Sequence, residues 1–116
     1  MDLINLLNET KEILNDNGKS LEDIEWIGTS KHYVNKEKAL ELFDVDYYNG
    51  YGAQLVADNL LVVGKDWWLE RHEYDGSEWW EMKKMPKKPD EELQINYVVG
   101  GMWNTLEEIN IGEDNE

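Results

Sequence analysis

Apolar residues recur along this chain with two periods, and the change of period marks its elements. From residue 2 to residue 16 the spacing is helical. Leu3, Leu7, Thr10, Leu14 and Asn17 keep one stripe, widened by Ile4, Leu6 and Ile13. Asp2 is placed to cap the start, and Asn17-Gly18 offers a left-handed stop. After a polar link, Ile24 to Thr29 reads as a strand with Ile24 and Trp26 on one face. Asn35 is a good N-cap for a short helix over residues 36–43, with Ala39, Leu40, Leu42 and Phe43 inward and Val34 spaced from Ala39 as a hydrophobic staple. Residues 44–52, DVDYYNGYG, form a turn-rich loop in which Gly50 and Gly52 suit φ > 0.

The alternating pattern is strongest from Trp67 to Trp80, WWLERHEYDGSEWW. Two aromatic-rich runs flank Asp75-Gly76, and a type I′ turn needs φ > 0 at both of its central residues, which Asp-Gly supplies. With that turn, Tyr74 faces Ser77, His72 faces Trp79, Arg71 faces Trp80, Glu70 faces Glu81 and Leu69 faces Met82. Side chains alternate between faces. Trp67, Leu69, Arg71, Glu73, Glu78, Trp80 and Met82 share one face, apolar away from the turn, which is the expected core side. Trp68, Glu70, His72, Tyr74, Ser77, Trp79 and Glu81 share the other. Arg71 against Trp80 predicts a cation–π pair.

A strand at Leu60–Val63 precedes this hairpin, with Gly64-Lys65 as the turn. That register places Val62 opposite Trp67 and Asp58 opposite Arg71, the one arginine of the chain. The central sheet is then a three-stranded meander with Ile24–Thr29 as a fourth strand. Residues 85–89, MPKKP, end it, because proline cannot donate to a ladder. Leu93, Ile95, Tyr97 and Val99 alternate with polar Gln94 and Asn96 and predict a further strand, with Gly100-Gly101 as a turn. Met102–Ile111 follows as a strand or as a short helix capped at Asn104 or Thr105.

The pattern therefore predicts an α+β fold: an N-terminal helix and a short second helix packed on a twisted antiparallel β-sheet, a meander of hairpins. One domain spans residues 1–116. Residues 1–23 give the first helix and link, 24–89 the core with the central hairpin, and 90–111 a C-terminal strand region. Residues 112–116 are a frayed acidic tail.

Composition adds charge to this picture. The chain of 116 residues carries a net charge of −15. Residues 1–82 hold seven basic and 18 acidic side chains, residues 83–89 hold four lysines, and residues 90–116 hold eight acidic side chains and no basic one. Such a field repels nucleic acid and anionic membrane and attracts basic partners. The four lysines are too few to reverse it, and the aromatics are not interleaved with basic residues as single-strand binding requires. With no cysteine there is neither a disulfide framework nor a thiolate zinc site. No apolar run approaches a membrane span, and Met1-Asp2-Leu3 does not resemble a basic-then-apolar leader, so the expected location is cytoplasmic.

Candidate chemistry concentrates on the hairpin. Glu70 opposite Glu81 sets like charges across a sheet, which destabilises it unless something compensates. With His72 beside them they make either an acid–base or metal site or a solvated outer face. One His and two Glu without further His or Cys are a weak ligand set, so the outer-face reading is preferred and no cofactor is expected. Asp44 and Asp46 suggest a calcium loop, but the required Gly and the closing Glu are misplaced. No nucleophile–base pair or phosphate loop accompanies these residues, so an enzyme is not expected.

The run LVVGKDWWLERHEYDGSEWWEMKKMPKKP, together with the upstream YNGYGAQ segment at residues 48–54, resembles a group of small uncharacterised proteins from phages and prophages of low-GC Gram-positive bacteria. The resemblance covers about residues 24–89 and departs in the C-terminal strand region and acidic tail. It implies a phage accessory protein acting in the host cell and implies no established activity. In that context the expected function is inhibition of a host nucleic-acid-processing defence protein, anti-CRISPR-like, by occupying the surface where a basic nuclease binds DNA. The expected partner surface is Glu70, Glu73, Glu78 and Glu81, with Asp44 and Asp46, and Trp68 and Trp79 as aromatic anchors. The alternative is a phage structural or assembly adaptor without enzymatic activity.

Overall fold

The Asp75-Gly76 turn forms as its chemistry requires, with φ of +53° at Asp75 and +89° at Gly76. It joins β6 (Trp67–Tyr74) to β7 (Ser77–Lys84). Their register is the expected one, from Tyr74 opposite Ser77 through Glu70 opposite Glu81 to Leu69 opposite Met82. The computed structural model describes residues 2–50 and 52–111. The acidic tail expected at 112–116 lies outside the described residues.

Chain order is β1 (Ile4–Asn5), α1 (Leu6–Asp16), a 3₁₀ turn (Leu21–Asp23), β2 (Trp26–Gly28), β3 (Tyr33–Val34), α2 (Lys36–Phe43), β4 (Asp46–Tyr47), β5 (Leu61–Val63), β6, β7 and α3 (Leu106–Ile111). The fold is α+β. A five-stranded antiparallel sheet runs β3-β2-β5-β6-β7, and β1 pairs with β4 in a separate two-stranded sheet. The chain divides into two compact units, Met1–Met85 and Pro86–Glu116. Both sheets and the first two helices belong to the first unit.

The first helix starts later than the periodicity suggests. Ile4 and Asn5 are extended because they pair with Tyr47 and Asp46, and the Leu6 N–H donates to the Val45 carbonyl at 3.0 Å. Asn5, not Asp2, is the cap, its side chain accepting from the Asn8 N–H at 3.0 Å. The buried stripe is Leu6, Thr10 and Leu14, while Leu3 is exposed. Full burial of Leu14 alone stabilises by roughly 1.5–3 kcal/mol. Gly18 takes φ +72° and ends the helix as expected. The second helix matches its expected bounds, with Asn35 accepting from the Lys38 N–H at 2.8 Å. Its buried residues are Ala39 and Phe43, and Leu42, expected inward, is exposed. Gly52 has φ +97°, whereas Gly50 does not enter the left-handed region.

Two expectations about the sheet need correction. Val62 faces Leu69 and not Trp67, because the Gly64 N–H donates to the Trp67 carbonyl at 2.9 Å and the turn residues are Lys65-Asp66. Moving the turn by one residue moves the register by two, so every side chain keeps its face. Asp58 consequently does not meet Arg71. It is exposed in the segment before β5. The strand expected at Leu93–Val99 is also absent: residues 93–99 are irregular, and the 102–111 region resolves as α3.

The core of the first unit lies between the first two helices and one face of the sheet. Ile27, Val62 and Leu69 form a cross-strand row with no exposure, joined by Trp67 and Trp80. Leu6, Leu14, Ala39 and Phe43 from the two helices belong to the same cluster. The core face of the hairpin is thus the one read from alternation.

Candidate interaction surface

Arg71 projects from β6 into this core face. Its guanidinium carbon lies 4.8 Å from the centroid of Trp80 and 5.8 Å from that of Tyr47. Nη2 donates to Glu78 at 2.7 Å and to the Tyr47 hydroxyl at 2.9 Å, and Nη1 donates to Glu9 on α1 at 3.1 Å. Burial works against the Arg71 charge, but the Glu78 hydrogen bond and the charge of Glu9 outweigh it and hold its pKa above the ordinary value. Burial, followed by the hydrogen bond to Glu9, raises the Tyr47 phenol well above its usual range, so Tyr47 stays protonated and donates to Glu9.

Glu78 is therefore not a surface carboxylate. Its side chain is 1% exposed, and it also accepts from the Leu55 N–H at 2.6 Å and the Val56 N–H at 3.2 Å. A buried cation needs a partner at bonding distance, and Glu78 is the same-face diagonal neighbour of Arg71 across the hairpin. Its expected place on a partner surface is corrected for that reason. Glu73 is exposed but lies on the same side as Glu78, where it accepts from the Gly76 N–H within the turn. Asp44 and Asp46 both accept from the Asn5 side chain, at 2.9 and 3.0 Å, and so tie the end of α2 and the start of β4 to β1.

The opposite hairpin face keeps Glu70, Glu81, Trp68 and Trp79 together, as the register requires. Each carboxylate accepts from the indole two residues before it on its own strand. Trp68 Nε1 donates to Glu70 at 2.7 Å, and Trp79 Nε1 donates to Glu81 at 3.1 Å. His72 Nε2 lies 2.8 Å from Glu70 and 3.5 Å from Glu81, and Lys83 Nζ lies 3.2 Å from Glu81. These contacts offset the like-charge opposition of the two glutamates. The Trp68 indole and then His72 lower the pKa of Glu70 against its partial desolvation, and the Trp79 indole and Lys83 lower that of Glu81. Both stay ionised at neutral pH while remaining half-exposed.

Apolar side chains surround this pair. Trp26, Val63 and Trp68 lie in one cross-strand row and Leu61 lies beside Glu70 in the next. All are half-buried and none belongs to the core cluster. The arrangement offers two fixed carboxylates within an aromatic surround. It can accept hydrogen bonds and charge from lysine or arginine and can stack on planar groups. Among the described residues no group of three or more His, Cys, Asp or Glu is arranged to hold a metal ion, and no helix is long and apolar enough to cross a membrane.

Sequence reasoning missed the network around Arg71. One half of it was signalled, since a single arginine at an inward position requires a carboxylate and Glu78 stands diagonal to it. The other half, Glu9 and Tyr47, comes from 62 and 24 positions away and had no local signal. No family model, no curated protein and no solved structure matches this chain.

Proposed function

We propose that this chain is a protein-binding inhibitor without enzymatic activity, and that it seats the outer face of its hairpin on the basic nucleic-acid-binding surface of a host defence nuclease of the CRISPR type. The observation that carries the reading is the half-exposed pair Glu70 and Glu81, kept ionised by Trp68, Trp79 and His72 on a sheet face outside the core. A net charge of −15 extends the same attraction to long range. Glu73 at the turn adds charge at the hairpin tip. The partner is a basic protein, with neither nucleic acid nor membrane bound directly.

The test is a tagged pull-down from nuclease-treated lysate of a Gram-positive host carrying a CRISPR system, repeated with Glu70→Gln/Glu81→Gln and with Trp68→Ala/Trp79→Ala. The expected prey is a large basic nuclease, lost with both variants and released as salt rises, since exposed charges are screened. Recovery of the same nuclease by the variants, or binding that ignores salt, refutes the surface. Phage structural proteins as prey from an infected lysate, with no nuclease, would replace inhibition by an assembly role.

A further inference from the structure

The second unit carries an exposed apolar tip on a scaffold built from side chains. Within residues 98–103, Val98, Val99, Met102 and Trp103 are 71, 81, 82 and 96% exposed. Trp103 has φ +67°, a region that a bulky side chain rarely adopts. The segment from Asn104 onward holds that strain in place. The Asn104 N–H donates to the Gly101 carbonyl at 3.1 Å, and Thr105 and Glu108 form a reciprocal capping pair at 2.8 and 3.2 Å that starts α3. Gly101 lets the tip close onto α3, since a Cβ there would lie 2.2 Å from Ile109 Cγ2 and would force that side chain to shift.

Asn110 locks the base. It is buried, its Oδ1 accepts from the N–H groups of Asn96 and Tyr97 at 2.7 and 3.0 Å, and its Nδ2 donates to the carbonyls of Tyr97 and Leu106 at 3.0 and 2.7 Å. A segment with no strand of its own is thereby closed into a loop that presents four apolar side chains to solvent.

We propose that this tip, centred on Trp103, is a docking anchor for a basic amphipathic helix of a partner protein. A strained, fully exposed tryptophan beside an exposed methionine is an interface composition, since aromatic and methionine side chains are enriched at interfaces and tryptophan is among the leading hot-spot residues. The two valines extend the apolar patch. Charge selects the partner class. Among the described residues of this unit Asp90, Glu91, Glu92, Glu107 and Glu108 are acidic and exposed against the two lysines Lys87 and Lys88. Glu107 and Glu108 follow the tip on α3, so it repels phosphate and favours an apolar stripe flanked by lysine or arginine. None of the hairpin residues takes part in this tip.

The experiment uses the full chain labelled with 5-fluorotryptophan, with Trp103→Gly to assign its ¹⁹F resonance. Glycine relieves the positive φ while deleting the anchor, so the loop keeps its order and only docking is lost. The probe is a helical Leu/Lys peptide with one apolar face, and the control replaces its lysines with glutamine. The expected result is saturable binding that shifts the Trp103 resonance, weakens about tenfold or more in Trp103→Gly, and weakens for the glutamine peptide. Unchanged binding by Trp103→Gly would mean bulk charge attraction and overturn the proposal. So would a failure of the Leu/Lys peptide to bind. A Trp103 shift with neutral lipid vesicles but not with the peptide would overturn it in favour of a membrane contact.

Discussion

Glu78→Ala takes a carboxylate away from a guanidinium that has no exposure to water. The side chains of Arg71 and Glu78 are 0 and 1% exposed and 2.7 Å apart, so solvent screening does not discount the pair. Removing one partner of such a pair costs about 3–5 kcal/mol, because the remaining charge is left buried. Glu9 stays 3.1 Å from Arg71 Nη1, which places the expected loss near the lower end, about 3 kcal/mol. The freed N–H groups of Leu55 and Val56 lie next to an exposed segment, where water replaces the lost acceptor. For a domain of this size 3 kcal/mol corresponds to a fall in Tm of roughly 12 °C. Urea denaturation followed by tryptophan fluorescence measures it directly. The companion variant Arg71→Met/Glu78→Leu removes both charges and fills the space with apolar atoms, and its expected stability is within about 1 kcal/mol of the parent. A Glu78→Ala loss under about 1 kcal/mol would refute the buried-pair account, and so would a double variant as unstable as the single one.

Two further outcomes are expected from the geometry. Glu70 and Glu81 have folded-state pKa values below the unfolded one, so the stabilisation from their indole hydrogen bonds is present above about pH 4.3 and is lost as pH falls through the lower folded values. The indole N–H resonances of Trp68 and Trp79 should therefore titrate with midpoints below that pH, and a midpoint at or above it would contradict the hydrogen-bonded pair. A Cβ at Gly28 would sit 2.1 Å from the His32 carbonyl oxygen and 2.7 Å from the Tyr33 Cα, both backbone atoms of the neighbouring segment. Gly28→Ala should cost about 1–3 kcal/mol in the same denaturation assay by forcing β3 away from β2, and an unchanged midpoint would show that edge to be loosely attached.

Local chemistry alone determined the central hairpin with its two faces, and α2. In β2 the expected sharing of one face by Ile24 and Trp26 fails, because Ile24 and Ile27 enter the core and Trp26 lies in the outer row with Val63. Asp75-Gly76 can adopt a type I′ turn where few other pairs can, so turn, register and face assignment were all legible in one stretch. Asn35 likewise fixed the start of α2, and Thr105 was one of two legible starts for α3. Elsewhere periodicity was overruled by partners distant in sequence. The helical stripe from residue 2 lost its first turn because Ile4 and Asn5 find a strand near residue 46. The alternation at Leu93–Val99 predicted a strand, yet the backbone of Asn96 and Tyr97 is satisfied by the Asn110 side chain instead of a ladder.

The expected interaction surface divided in the same manner. Glu70, Glu81, Trp68 and Trp79 share a face because alternation in a strand is a local rule, and the sequence was enough to group them. Whether a carboxylate is available at all is not a local property. Glu78 and Glu73 occupy the same face by alternation, but only the three-dimensional arrangement of Arg71, Glu9 and Tyr47 buries one and leaves the other at the turn. A lone inward arginine signals in sequence that some carboxylate must be buried with it. Which one is decided by packing, because desolvated charge is stabilised only by groups brought within bonding distance, and the chain fixes those distances only when it is folded.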